Sequence, residues 1–242
     1  LEDDLGLLAD CDWVVEVIIE NLEIKQGLYE RLEAVLGDQV ILTSNTSTIP
    51  LHLLTAKMGA DLKSRFAITH FFNPPRYMRL LELVKGPDTK PQVVDQLRDF
   101  CDRVLGKGVV ECKDSPAFIA NRIGQFWTGT AMAKAFELGL KVEEADAING
   151  KPFGIPKTGV FALMDLVGID LIPLIDKSMR ATLPADDPYL KIGSAPMIDE
   201  MIAVNRPLVV DVAVDPKENC FPMIPSGKAH TEMLLGPEDD IA

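Results

Sequence analysis

Short apolar runs rich in β-branched residues alternate with helical patterns over the first hundred or so positions. The runs are Trp13–Ile19, Val40–Thr43, Phe66–Thr69, Leu80–Val84 and Gly108–Glu111. They are nearly continuous in apolar residues rather than alternating. That pattern predicts strands covered on both faces, as in parallel α/β sheets. Between them, Ile24–Leu36 sets Leu28, Leu32 and Leu36 on one helical face and stops at Gly37. Val93–Val104 repeats the pattern with Val93, Leu97, Phe100, Cys101 and Val104, closed by Gly106. Strand, helix and strand in short succession predict a doubly wound sheet.

After Cys112 the period changes. From Ser115 to Leu138 only a helical pattern remains, with Ser115 as the predicted N-cap and Pro116 at the first helical position. Helical segments at Val142–Ile148 and Val160–Arg180 follow, separated by the Pro- and Gly-rich stretch 150–156. The expected division is an α/β domain over 1–112, an all-α domain over 113–205 and an unassigned segment over 206–242, where Pro207–Val214 looks strand-like. A doubly wound dinucleotide-binding domain opens with strand, Gly-rich turn and helix, and holds the pyrophosphate at that helix N-terminus. No GxGxxG occurs in these 242 residues, and the chain opens on a helix-like Leu1–Ala9 rather than on a Met. The expectation is a partial Rossmann-like sheet whose first βαβ unit lies upstream.

Charge and cysteine content narrow the classes. With 24 Lys+Arg against 37 Asp+Glu, the net charge of −13 argues against a nucleic-acid partner, which needs cations to displace phosphate counterions. No apolar run approaches the roughly 20 residues of a membrane span, and no signal-peptide pattern opens the chain. The four cysteines show neither CxxC pairing nor metal-like spacing. Reduced thiols in a cytoplasmic protein, and no metal centre, are the expectation.

Three polar clusters follow predicted strands, where ligands bind in open α/β sheets. They are Glu20-Asn21 with Lys25, then Ser44-Asn45-Thr46-Ser47, then His70-Phe71-Phe72-Asn73-Pro74-Pro75. Each alone is open to a structural reading as a cap or turn, but together they mark one edge of one sheet. His70 ends an apolar strand, and a neutral imidazole there can work as a general base or acid. Glu82 lies inside another apolar strand, where a carboxylate needs a partner. His70 is one such partner; Arg76, Arg79 and Lys85 are the alternatives.

Ser44–Ser47, His70–Pro74, the Glu twelve residues after the His, and the stretch Lys113-Asp114-Ser115-Pro116-Ala117-Phe118-Ile119-Ala120-Asn121-Arg122 together resemble the L-3-hydroxyacyl-CoA dehydrogenase family. Asn73–Glu82 is similar to the branch found in large bacterial proteins that also carry an enoyl-CoA hydratase domain. The resemblance covers roughly residues 10–175. It implies NAD as cofactor, an acyl-CoA substrate, and a role in fatty acid β-oxidation. By the same resemblance, His70 is the base that takes the 3-hydroxyl proton and Glu82 orients it. Ser47 and Asn121 hydrogen-bond the reacting oxygen. Glu20 and Lys25 contact the nicotinamide-side ribose, with Ser47 and Asn73 also on the cofactor side. Gly154–Thr158 and Phe161–Asp170 resemble a block with dimer and acyl-chain contacts, so a homodimer through the helical domain is implied.

A second reading is a non-catalytic acyl-CoA-binding or dimerisation module, since the pyrophosphate turn is missing. A related 3-hydroxyacid dehydrogenase with a non-CoA substrate is disfavoured, because such enzymes resemble one another around a catalytic Lys instead. Titration of these 242 residues alone with NADH is expected to show little or no binding.

Overall fold

The computed structural model describes residues 2–154, 158–168 and 171–192. Five strands form one sheet in the order β1 (Trp13–Glu16), β2 (Ile41–Ser44), β3 (Phe66–Phe71), β4 (Leu80–Lys85), β5 (Gly108–Cys112). All five sit where the apolar runs place them, with one shortened. The run from Trp13 leaves the sheet after Glu16, whose own carboxylate takes the Ile18 N–H at 2.6 Å. Val17 and Ile19 consequently lie 70% and 68% exposed instead of in a ladder.

The sheet is not parallel throughout. β1, β2 and β3 run parallel, but β4 pairs antiparallel with β3, and β5 then pairs parallel with β4. A covered antiparallel strand has the same continuous apolar pattern as a covered parallel one, so periodicity does not distinguish them. Both faces are covered as expected. Leu42, Ile68 and Val84 face α1 (Leu22–Glu33), α2 (Leu51–Leu54) and α3 (Ala60–Ser64), with Leu32, Leu54 and Leu62 among the helical contacts. Ile41, Ala67, Leu81 and Leu83 face α4 (Pro91–Asp99) through Val93, Val94 and Leu97. The predicted helix 93–104 changes to a π turn over Phe100–Val104.

The helical part holds α5 (Ala120–Glu137), α6 (Val142–Ile148), α7 (Val160–Val167) and α8 (Leu171–Thr182). Two boundaries differ from the sequence pattern. Ser115 and Pro116 do not start a helix, because Ala117 and Phe118 take left-handed backbone angles (φ 59° and 49°) and α5 begins at Ala120. The segment 160–180 is split at Gly168, whose φ of 108° suits a residue without a side chain. Met132, Val160, Met164 and Ile172 form the core of this part. The segment 206–242, with Pro207–Val214, and Ile155–Lys157 and Ile169–Asp170 of the acyl-chain block lie outside the described residues.

Asp146 of α6 caps α7 from outside, accepting the Phe161 and Ala162 N–H groups at 2.7 and 2.9 Å. The approach is so close that a Cβ on Gly159 would lie 2.4 Å from the Asp146 Cα. Asp146→Ala is therefore expected to cost about 1 kcal/mol, the usual value of a lost cap, in urea unfolding.

Candidate active site

Because β1, β2 and β3 run parallel, the residues that follow them meet at one edge of the sheet. Glu20, Ser44–Ser47 and His70–Asn73 are thus brought together. His70 is the penultimate residue of β3 and is 4% exposed. The antiparallel return of β4 sets Glu82 directly opposite it in the ladder. The imidazole Nδ1 lies 2.8 Å from Glu82 Oε2, and Nε2 lies 3.1 Å from Ser47 Oγ. A carboxylate accepts only, so Nδ1 carries the proton and Nε2 presents its lone pair toward the Ser47 hydroxyl. Phe72 meets the ring at a centroid distance of 4.6 Å and Phe118 at 5.6 Å. Of the alternative partners for Glu82, Lys85 pairs with Glu111 at 3.3 Å, and Arg76 and Arg79 are exposed.

Glu82 is 1% exposed and uses its second oxygen as well. Oε1 accepts the backbone N–H groups of Ile119 at 3.0 Å and Ala120 at 2.8 Å. These are orphan donors at the start of α5, which has no side-chain cap of its own. Burial pushes the Glu82 carboxyl up, but the hydrogen bonds from His70, Ala120 and Ile119 outweigh it and hold the group below the usual carboxylate range. Asn121 follows in the same first turn, half-buried. One carboxylate therefore anchors both the histidine and the helix that carries Asn121.

A second acidic centre lies under β1 and β2. Glu16 is buried and accepts from Lys25 Nζ (2.7 Å), Tyr29 OH (2.5 Å), Ser44 Oγ (2.8 Å) and the Ile18 N–H. Ser44 Oγ in turn accepts the Thr46 N–H at 3.2 Å. Glu20 binds the next residues of that loop. Its Oε1 accepts from the Thr46 hydroxyl, from the Ser47 and Thr48 N–H groups, both at 3.0 Å, and from Thr48 Oγ1. Burial raises the Glu20 carboxyl, and these donors together with Lys25 bring it below its ordinary value. Asn21 caps α1 through the Ile24 N–H at 3.0 Å, and Asn45 accepts the Phe71 N–H at 2.9 Å.

Asn73 is exposed on the β3–β4 connection. Buried Lys107 ties that loop down through the carbonyls of Pro75 and Met78, the latter at 2.8 Å. Glu16 and Lys107 are absent from the sequence-derived set. Glu16 had a usable signal, since it is a lone carboxylate in an apolar strand just as Glu82 is. Lys107, between two glycines, had none. Among the described residues no group of His, Cys, Asp or Glu could hold a metal ion, and no helix is long and apolar enough to cross a membrane.

Whether NAD fits can be tested on this edge. Glu20 is 36% exposed with one oxygen saturated and the other turned to Lys25, beside the exposed Val17–Ile19 rim and the Ser47 hydroxyl. That donor and acceptor set suits the nicotinamide and its ribose. The 242 residues hold no Gly-rich turn for the pyrophosphate.

The fold and site define a Rossmann-like α/β domain joined through a His–Glu pair to a helical domain. Residues 1–115 match the family described as 3-hydroxyacyl-CoA dehydrogenase, NAD binding domain, and residues 118–207 match 3-hydroxyacyl-CoA dehydrogenase, C-terminal domain. A crystal structure of M. tuberculosis FadB2 superposes with a TM-score of 0.73 at 30% identity, covering 83% of this chain and 68% of that one. The chain belongs to the 3-hydroxyacyl-CoA dehydrogenase family. It is 47% identical over 203 residues to a Rickettsia felis protein named "Putative fatty acid oxidation complex trifunctional enzyme", covering 84% of this chain and 28% of that protein. It is 34% identical over 205 residues to human "Hydroxyacyl-coenzyme A dehydrogenase, mitochondrial", covering 84% of this chain and 63% of that protein.

The depressed Glu82 carboxyl has a pH signature. A lowered folded value stabilises the fold above the carboxyl's unfolded pKa, and that contribution is lost as pH falls through the folded value. Urea unfolding is expected to show Glu82→Gln less stable than wild type at pH 6–7, with the gap closing below about pH 4.

Proposed function

We propose that this chain forms part of an enzyme that oxidises an L-3-hydroxyacyl-CoA to the 3-oxoacyl-CoA with NAD, within fatty acid oxidation. The observation that carries the reading is the buried His70–Glu82 pair at 2.8 Å, with Nε2 turned to a hydroxyl at the sheet edge. His70 Nε2 takes the proton of the substrate 3-hydroxyl. Glu82 holds Nδ1–H, which keeps the tautomer and stabilises the imidazolium that forms. Ser47 and Asn121 donate hydrogen bonds to the reacting oxygen as its charge develops. When bound, NAD supplies the acceptor for the hydrogen that leaves C3 with its two electrons, and Glu20, Lys25, Ser47 and Asn73 form its nicotinamide side. Phe72 and Phe118 exclude water around the base.

Residues 1–112 form the cofactor-binding part and 113–205 the substrate and dimerisation part, and 206–242 is a C-terminal segment with no assigned role. Homodimerisation through the helical part fits an apolar face that is exposed among the described residues. Phe126, Leu138 and Ile148 are exposed there around a groove of about 460 Å³ on α5 and α6. A fused or associated enoyl-CoA hydratase domain fits the similarity to a protein named as trifunctional. A cytoplasmic setting fits the free thiols of Cys11, Cys101 and Cys112. Burial pushes the last two up to about 11, which keeps them as neutral thiols near pH 7.

In the full-length gene product, His70→Ala is expected to lower acetoacetyl-CoA-dependent NADH oxidation by about 10²–10⁴-fold, the usual contribution of a general base. Near-normal turnover of that variant sinks the assignment.

A further inference from the structure

Asp114 lies in the stretch that carries the family resemblance, yet the proposed reaction gives it no task. It sits just past β5, on the connection to the helical part, and both of its oxygens turn back to the sheet part. Oδ1 accepts the Leu51 N–H at 2.9 Å. Oδ2 accepts the His52 N–H at 3.4 Å and lies 3.3 Å from the exposed His52 ring. Those N–H groups open α2, whose N-cap position is Pro50 and has no side-chain hydrogen bond to give. The cap comes instead from 63 residues away.

α2 is a firm point of attachment. Leu51 and Leu54 are buried in the core, and Gln26 of α1 holds the far end of the helix through the Leu53 carbonyl at 2.8 Å. The loop 45–50 joins β2 to this helix and carries Ser47. Asn45 fixes its start through its own N–H to the Glu16 carbonyl and its side chain to the Phe71 N–H. Glu20 holds the Ser47 and Thr48 N–H groups in the middle. Asp114 fixes the end, and it alone of these anchors comes from the junction between the two parts.

The same junction gives its Ile119 and Ala120 N–H groups to Glu82. Two carboxylates thus cross the boundary in opposite directions. Glu82 reaches from the sheet to the start of α5, and Asp114 reaches from the junction to the start of α2.

We propose that Asp114 is a positioning residue that sets Ser47 from the domain junction. One stretch of chain then places both donors to the reacting oxygen: Asn121 directly, and Ser47 through α2. This rests on reading the edge as the site of 3-hydroxyacyl-CoA oxidation.

Amide hydrogen exchange of the full-length gene product tests the tie without any ligand. Asp114→Asn is expected to speed exchange over residues 47–52 about tenfold relative to the rest of the sheet part. Unchanged exchange there would overturn the proposal.

Kinetics test the consequence for Ser47. Asp114→Ala is expected to lower kcat for acetoacetyl-CoA-dependent NADH oxidation about tenfold, the scale of a misplacement of about half an ångström, with a smaller change in KM. Asp114→Asn keeps an oxygen for the Leu51 N–H and is expected to lose only about threefold. In a Ser47→Ala background, Asp114→Ala is expected to lower kcat by less than about twofold further, because the residue it positions is already gone. A merely structural role would act alike in both backgrounds, so additive losses, or a loss confined to KM, would also overturn the proposal. Should Asp114→Ala fail to fold, Asp114→Asn carries the same cycle, and a normal kcat in that variant would count against the proposal. A normal kcat in Ser47→Ala alone defeats the reading of the edge instead, and the ligand-free exchange still decides whether Asp114 ties the loop.

Discussion

A single buried carboxylate cannot stand alone in a protein interior, and the way Glu82 is satisfied arranges much of what surrounds it. One oxygen holds the imidazole of His70 and the other holds two backbone N–H groups at the start of α5. The histidine belongs to the sheet and the helix to the following domain. The group that sets the tautomer of the base therefore also sets where the helical domain begins, one residue before Asn121. The left-handed pair Ala117–Phe118 is part of the same arrangement. It turns the chain sharply enough for Phe118 to pack near the imidazole while the next two N–H groups reach Glu82. Such backbone angles cost roughly 1–3 kcal/mol each outside glycine. Two hydrogen bonds to a charged acceptor are of the right size to offset that.

Strand direction makes the contact available. β4 turns back beside β3 through the connection 72–79, and in that register residues 70 and 82 are direct neighbours. Lys107 fixes the connection from below through two carbonyls, which keeps the exposed Asn73 next to the end of β3. A parallel β4 would have run Glu82 away from the edge at which β1, β2 and β3 deliver their polar loops. The antiparallel reversal thus added Glu82 to an edge that the parallel β1, β2 and β3 had already assembled.

Glu16 repeats the logic of Glu82 one strand over. It too interrupts an apolar strand, and it too gathers donors from several elements: Lys25 and Tyr29 from α1, Ser44 from β2. Through Ser44 and Thr46 this cluster connects to the loop that carries Ser47. Among the described residues no buried side-chain polar atom lacks a partner. A chain of net charge −13 still keeps its buried carboxylates matched by local donors. Overall charge therefore says little about the site.

Much of this was legible in the amino-acid order, because apolar periodicity is local. It placed the five strands, the α1 face at Leu28 and Leu32, the change to helices after Cys112, and the polar residues at strand ends. The lone acid in Leu80–Val84 was also readable, since burial of a carboxylate demands a partner wherever the chain goes. What only the tertiary structure decided depended on partners distant in sequence. Strand direction came from pairing, and the start of α5 came from a cap 37 and 38 residues upstream in place of Ser115. The true surroundings of Lys25 came from a carboxylate, a carbonyl and a second carboxylate that meet only once β1 is laid against α1. Local pattern specifies which residues must be buried, whereas hydrogen-bond partners across elements specify how a buried charge is satisfied.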